Sequence, residues 1–409
     1  MKLLFICSTE FQLFNALNLK IHLFPNDSSD IIIQFLKKDT VDFYHRVQAT
    51  GLFENVCYRL PDVFGLHQYI RCIREGDYSH SWINALKNSA QDLFTHLSSR
   101  TNHDFIDNLR ERVYNIDALN FSAYDAIFAG GSNAIVTDIL RYVHNNYPMC
   151  KINLYEEGLG TYFTDELGNH CEDIKKAHIY LYAPDIAMYQ HCKFVQIPKI
   201  SRNDRTFISI ANQVFDYHPQ EQSIENKIIF LDNRVNPMPT YLMKFKYLSK
   251  TIFRKPYKKH LRSHETYVQQ KQAYKTLLSH ANAHEILIKL HPRTERENVK
   301  DDYRGKSAKI LEGISVPWEL FCCNCKMNGN IFVTTISSSM QSNMLVIDEE
   351  DTNIFIILCR YADFDLMADE LFKEQYQEFY NRIKLKKKDH HVYLPANEKE
   401  YIALLKQLL

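Results

Sequence analysis

Two adjacent carboxylates, Glu156 and Glu157, follow the apolar run Ile152–Tyr155 directly and precede Gly158 and Gly160. A buried parallel strand that ends in acid groups delivers them to the C-terminal edge of its sheet, where open α/β proteins bind ligands. Side chains alternate along a strand, so neighbouring carboxylates point different ways. One can face a cleft while the other caps a helix or meets a backbone amide. A carboxylate in a cleft is suited to act as general base toward a hydroxyl. The plainer alternative is a solvated acidic turn. The strand before the pair and the glycines after it favour the functional reading.

A second apolar run, Ile286–Leu290, leads into His291 and Pro292, with Lys289 and Arg293 on either side. Proline fixes the chain direction immediately after the histidine. A cation or proton donor there suits a phosphate or a departing phosphate oxygen. A third run, Ile331–Val333, opens into Thr334, Thr335, Ile336, Ser337, Ser338 and Ser339. Hydroxyls at the start of a helix hold an anion together with free backbone amides, or simply cap the helix. Asp232 closes a fourth run, Lys227–Leu231, and reads either as a cleft acid or as a turn former before Asn233. A further His-Pro pair, His218–Pro219, has no apolar strand before it and reads as loop.

Neither GxGxxG nor GxxxxGK[ST] occurs, so the usual dinucleotide and Walker fingerprints are absent. Cys322, Cys323 and Cys325 lack a second CxxC or HxxxH partner at metal-binding spacing. They read as a buried helix end, and no metal site is expected.

These groups need strands to carry them. Lys2–Cys7 reads as the first strand, and Ser8 or Thr9 caps a helix through about Leu23. Strands are expected at Ile31–Leu36, Tyr124–Ala129, Ile152–Tyr155 and His178–Tyr182. Tyr124–Ala129 ends at Gly130, Gly131, Ser132 and Asn133, and a helix runs from about Ala134 to Asn146. Mixed helical text fills the stretch up to about Asn115. Polar, Pro-containing text over Gln196–Glu225 marks a junction, giving domains 1–205 and 206–409. In the second domain a long helical region over Pro239–Ala283 precedes the histidine strand. Asn353–Cys359 reads as the last strand, and Phe364–Leu409 as helices. Strands alternating with helices in two halves predict an α/β protein of two Rossmann-like domains facing each other across a cleft. A chain of 409 residues favours two domains.

Lys plus Arg equals Asp plus Glu, at 49 each, so the charge balance gives no argument for nucleic-acid binding. No apolar run approaches the ~20 residues of a spanning helix, and the start of the chain lacks a secretory core. A cytoplasmic protein is expected. Two basic segments, Lys244–His264 and Arg382–Lys388, read by default as solvated helix faces. Their interleaved aromatics also suit an anionic membrane surface, such as the inner face of the cell membrane, or a polyanionic chain.

Tyr-Glu-Glu-Gly-x-Gly-Thr-Tyr, then His-Pro, then a serine cluster, in that order, resembles the bacterial sialyltransferases of capsule and lipooligosaccharide synthesis. These include the polysialyltransferases and glycosyltransferase family 52. The matching residues are Glu156-Glu157-Gly158, His291-Pro292 and Ser337-Ser338-Ser339. The turn Ser8-Thr9-Glu10-Phe11-Gln12 also resembles the opening of the lipooligosaccharide group. The resemblance implies a GT-B fold and inverting, metal-independent transfer without a cofactor. It implies CMP-sialic acid as donor and an oligosaccharide ending in galactose or sialic acid as acceptor. It makes the acidic motif the base and has His291 assist the departing CMP phosphate, which the hydroxyl cluster holds. Some members use an aspartate after the first strand of the C-terminal domain, and Asp232 is the matching position. The glycine context favours the glutamates, and the choice stays open. Substrate contacts are expected at Gln12, Gly131, Ser132, Gly158 and Gly160. In the second domain they are expected at Pro292, Arg293, Thr335, Ser337, Ser338 and Ser339. The alternatives are an inverting GT-B enzyme using another nucleotide-sugar, and a non-catalytic binding protein of the capsule machinery.

Overall fold

The computed structural model describes residues 1–34, 40–59, 102–131, 134–163, 174, 176–189, 192–219, 223–233, 258–281, 284–291, 303, 305, 308–311, 316–335, 337, 339–348, 352–359, 370–386 and 391–409. The chain divides into two compact units. The first comprises Met1–Leu181, His191–Pro198 and Ser209–Tyr217, and the second comprises Tyr182–Gln190, Lys199–Ile208 and His218–Leu409. Between Leu181 and His218 the chain therefore passes from one unit to the other several times.

The first unit is built on β1 (Lys2–Cys7), β2 (Ser28–Ile33), β3 (Val56–Arg59), β4 (Val113–Tyr114), β5 (Ala126–Ala129), β6 (Lys151–Tyr155), β7 (Lys176–Leu181) and β8 (Phe194–Gln196). Their order across the sheet is β4-β3-β2-β1-β5-β6-β7-β8. Each pairing is parallel except β3 with β4. The chain winds outward from β1 in one direction through β4, then reverses at β5. That is doubly wound topology, with its switch point between β1 and β5. Leu3–Cys7 are fully buried, as the near-continuous apolar text of a two-sided parallel strand requires.

β2 starts earlier than its apolar run, because buried Asp30 belongs to it. Tyr124 donates its hydroxyl to Asp30 at 2.6 Å, Asn55 donates its backbone N–H and side-chain amide at 2.9 Å each, and the Lys2 ammonium lies 3.3 Å away. An acid so fully partnered sits in a sheet core without breaking the strand.

The second unit holds β9 (Ile228–Leu231), β10 (Ile286–Lys289), β11 (Ala308–Ile310), β12 (Ile331–Thr334), β13 (Ile354–Ile357) and β14 (Val392–Tyr393). The order is β11-β10-β9-β12-β13-β14, and every pairing among these strands is parallel. The switch point falls between β9 and β12. On one face Ile228, Phe230, Ile286, Ile288, Ile331, Val333 and Ile356 form a core with Ala273, Tyr274 and Leu277 of the helix Lys258–His280 and Tyr401 and Leu405 of the helix Glu398–Leu408. The period of two sends Leu231, Lys289, Thr334 and Phe355 to the other face.

The sheet closes on β14, where Phe355 pairs with Val392. Helices alone were expected there, and two residues are too few to show a strand period. β3, β4, β8 and β11 are also short; β3 and β4 fall in the stretch read as mixed and helical, and no strand was expected at β8 or β11. The helix expected over Pro239–Ala283 is described from Lys258 to His280, and residues 239–257 lie outside the described residues. The two α/β units have the doubly wound construction that the sequence predicted.

Candidate functional site

In the first unit β1, β5 and β6 end side by side, and the residues just beyond them form one polar cluster. Thr9 caps the helix Glu10–His22, its hydroxyl accepting from the Gln12 backbone N–H at 3.2 Å. Gln12, in the first turn, is buried and fully committed. Its Oε1 accepts from the Ser8 backbone N–H at 2.5 Å. Its Nε2 donates to the Gly130 carbonyl at 2.6 Å and to Glu157 Oε2 at 2.7 Å. A neutral amide has two N–H groups, and both are used here.

The strand alternation separates the two glutamates. Tyr155 reaches beneath β5 to β1, its hydroxyl donating to the Ile6 carbonyl at 3.1 Å and lying 3.3 Å from Cys7 Sγ. Glu157, two residues on, lies on the Gln12 side and is partly exposed. Glu156 has no exposed surface. Tyr162 donates to its Oε2 at 2.6 Å, and Asn15 Nδ2 donates to its carbonyl at 2.7 Å. Glu156 is thus a clamp between the sheet edge and the short helix Gly160–Phe163, and Glu157 is the carboxylate of the pair that keeps accessible surface.

Gly131 adopts φ +155°, and a Cβ there would overlap Glu157 Oε2. Glycine is needed because the carboxylate occupies the space of a side chain. Gly158, at φ +146°, has open space around it. Gly160 opens the short helix Gly160–Phe163, and Thr161 Oγ1 accepts from the Glu157 backbone N–H at 3.1 Å.

Gln12, Asn15 and Asn18 recur every three residues on the buried face of the first helix. Each donates to a carbonyl beyond a strand: Gly130, Glu156 and Pro198 respectively. Asn15 and Asn18 were not anticipated. The three-residue spacing of amides inside an apolar helix was the available signal.

In the second unit the residues beyond β9, β10 and β12 are joined by another network. Asp232 is 1% exposed. Its Oδ1 accepts from Gln270 Nε2 and from the Tyr303 hydroxyl, the latter at 2.6 Å, and its Oδ2 accepts from the His291 backbone N–H at 3.1 Å. Asp232 therefore fixes the backbone of His291, which is itself partly exposed. Asn233 donates through its side chain to Thr335 Oγ1, and its backbone N–H donates to Gln270 Oε1 at 2.9 Å. Thr335 and Ser337 are buried, and Ser339 is partly exposed. The helix opened by the hydroxyl run is short, Ser339–Gln341, and continues as a π turn over Ser342–Val346.

Ser132, Pro292, Arg293 and Ser338 lie outside the described residues. Among the described residues no group of three or more His, Cys, Asp or Glu is arranged to hold a metal ion. Cys322 and Cys323 lie in the helix Trp318–Asn324 and Cys325 caps it, all buried. Burial pushes the Cys325 thiol up to about 11 and also raises Cys322 well above the ordinary thiol value. Among the described residues no helix is long and apolar enough to cross a membrane. Arg382 and Lys386, in the second basic segment, are engaged with the Ala187 carbonyl at 2.9 Å and Asp185 at 2.5 Å.

No family model matches the chain, and no curated protein matches it by sequence. Among solved structures it is similar to an α/β-galactoside α-2,3-sialyltransferase from the luminous marine bacterium Photobacterium phosphoreum. The identity is 8% and the TM-score 0.50, over 96% of this chain and 98% of that one. It is also similar to the UDP-GlcNAc 2-epimerase of Methanocaldococcus jannaschii, at 13% identity and TM-score 0.45 over 100% and 99% of the two chains. A UDP-GlcNAc 2-epimerase from Neisseria meningitidis, bound to UDP-GlcNAc, gives 11%, 0.42, 100% and 99%. The likeness to the sialyltransferase is one of fold. With the two doubly wound units it assigns the chain to the GT-B class.

Proposed function

We propose that the protein is an inverting, metal-independent sialyltransferase that moves sialic acid from CMP-sialic acid to a terminal galactose or sialic acid of a bacterial surface glycan. The observation that carries the reading is Glu157, a partly exposed carboxylate held by a buried amide where β1, β5 and β6 end together. Placement at that edge is what a base acting on a bound hydroxyl needs. The ordered acid, His-Pro and serine motifs support the choice of donor. So does the sialyltransferase fold of the Photobacterium phosphoreum protein.

In this mechanism Glu157 takes the proton of the acceptor hydroxyl. The oxygen attacks the anomeric carbon of sialic acid from the face opposite CMP, and the bond from that carbon to the phosphate oxygen breaks. A single displacement inverts the configuration. CMP leaves as a phosphate monoester, so a proton or cation at the departing oxygen lowers the barrier without a metal. His291 supplies it, with its backbone fixed by Asp232. Of the hydroxyl run, the partly exposed Ser339 contributes a donor to the phosphate. Glu157 is favoured as base over Asp232, whose two oxygens are both engaged within the fold.

The test is incubation with CMP-sialic acid and a panel of lactose-type and oligosialic acceptors in EDTA, read by mass. A product heavier by one or more sialic acid residues is expected. Transfer from UDP-sugars alone would replace CMP with another donor. No transfer and no protection by any nucleotide would leave a binding protein. A cytoplasmic site of action belongs to this reading and is checked by cell fractionation.

A further inference from the structure

Lys289 is the last residue of β10 and is only 5% exposed. The strand period turns it away from the face that packs on the helix Lys258–His280. Its ammonium donates to Ser339 Oγ at 2.7 Å and lies 5.7 Å from the centroid of the Trp318 ring. Glu319, next to Trp318, is buried as well and accepts from the Ser342 hydroxyl. A buried lysine costs several kcal/mol unless it is paired and hydrogen-bonded. Retaining one behind a partly exposed serine calls for a reason.

Hydroxyl chemistry supplies that reason. A serine has one O–H donor and two acceptor lone pairs. By accepting from the Lys289 ammonium, Ser339 commits a lone pair inward. Its one proton is not used in that bond and stays available to an acceptor other than Lys289. Charge-assisted hydrogen bonds are about twice as strong as neutral ones, and chains of them polarise one another. Burial pulls the Lys289 pKa below the ordinary lysine value, while the field of Glu319 pushes it back up.

We propose that Lys289 is a positioning residue that orients the Ser339 hydroxyl as a fixed donor to the phosphate of the nucleotide donor. The inference rests on the reading of the second unit as the nucleotide side. It adds to that reading the residue that makes one hydroxyl of the run a committed donor.

The experiment compares CMP with cytidine as ligands, by thermal shift titration of the wild type, Lys289→Met, Ser339→Ala and the double variant. Lys289→Met and Ser339→Ala each weaken CMP binding by about tenfold, the worth of one good hydrogen bond. Cytidine, which has no phosphate, binds all four proteins alike. The double variant is no weaker than either single one, because the lysine acts through the serine. Loss of cytidine and CMP affinity in parallel, additive losses in the double variant, or unchanged CMP affinity in Lys289→Met would each overturn the proposal while sparing the sialyltransferase reading. If UDP rather than CMP protects the wild type, the donor assignment falls, and UDP against uridine decides the role of Lys289 in the same way. If CMP, UDP and inorganic phosphate all fail to shift the wild type, both readings fall together.

Discussion

Gln12 and Glu157 lie 145 positions apart in the chain and are joined by a 2.7 Å hydrogen bond at the end of the sheet. The amide has no freedom to rotate, since its other N–H and its carbonyl are bound to Gly130 and Ser8. Glu157 inherits that fixity. Glu157→Gln is expected to lower kcat by about 10²–10⁴, the usual worth of a general base, with nucleotide affinity unchanged. Gln12→Ala frees the carboxylate and is expected to lower kcat by about 10–100-fold through misplacement. Initial rates and CMP titration check both, and a Glu157→Gln enzyme with wild-type turnover would remove Glu157 from the mechanism.

Glu156 should behave in the opposite way to its neighbour. Tyr162→Phe removes the hydroxyl that donates to Glu156 Oε2 at 2.6 Å in a site with no exposure. A loss of about 1–3 kcal/mol of stability is expected, with residual activity proportional to the folded fraction. Denaturant unfolding beside activity per folded molecule gives the answer.

Gly131→Ala and Gly158→Ala form a matched pair. Both positions have backbone φ values that favour glycine, at +155° and +146°, so both variants lose about 1–3 kcal/mol. Only at Gly131 does the added methyl meet the carboxylate of Glu157. Activity per folded molecule should fall in Gly131→Ala and hold in Gly158→Ala. Equal specific activities would mean that Glu157 moves aside at no cost.

Asp232→Asn replaces one of two accepting oxygens with an NH₂ group in a site that offers donors to both. A stability loss of about 1.5–3 kcal/mol follows. The His291 backbone loses its anchor, so kcat falls as well, though less than in His291→Ala. If Asp232→Asn instead abolishes turnover without any loss of stability, Asp232 is itself the base.

Burial raises the pKa of Glu319 above its ordinary value of 4.5, although Ser342 and Lys289 act against the shift. A carboxyl whose folded pKa is raised binds its proton more tightly in the folded state. Its stabilising contribution is fully present below 4.5 and is lost as pH rises through the folded value. The Tm of the wild type minus that of Glu319→Gln should therefore decrease from pH 4.5 upward. A difference that does not change with pH would show that the folded protein leaves Glu319 unshifted.

The strands bearing chemistry were legible because each is a fully buried apolar run that stops at a polar residue. β1, β9, β10 and β12 have that form, and β6 has it around one buried amide, Asn153. The division of labour between Glu156 and Glu157 followed from strand alternation, although the text alone did not say which faced inward. Long-range partners were not legible. Nothing in the spacing links Gln12 to Glu157, or Asp232 to the backbone of His291, because those links depend on which strands lie adjacent in the sheet. Short edge strands such as β4 and β14 carry too few residues for a period to register. Lys289 was read as a flanking cation beside His291, but its burial follows from the sheet face it occupies.

The repeated passage of the chain between Leu181 and His218 bears on how the molecule can be taken apart. Tyr182–Gln190 is built into the second unit by Asp185 and the Ala187 carbonyl, which hold Lys386 and Arg382. Ser209–Tyr217 returns to the first, where Phe215 stacks edge-on against Phe43 at 5.5 Å. No single scission yields two intact halves, so a truncated gene product would lack part of whichever half it was meant to isolate. Transplanting the second unit from one chain of this fold to another would mean grafting three stretches of sequence at once.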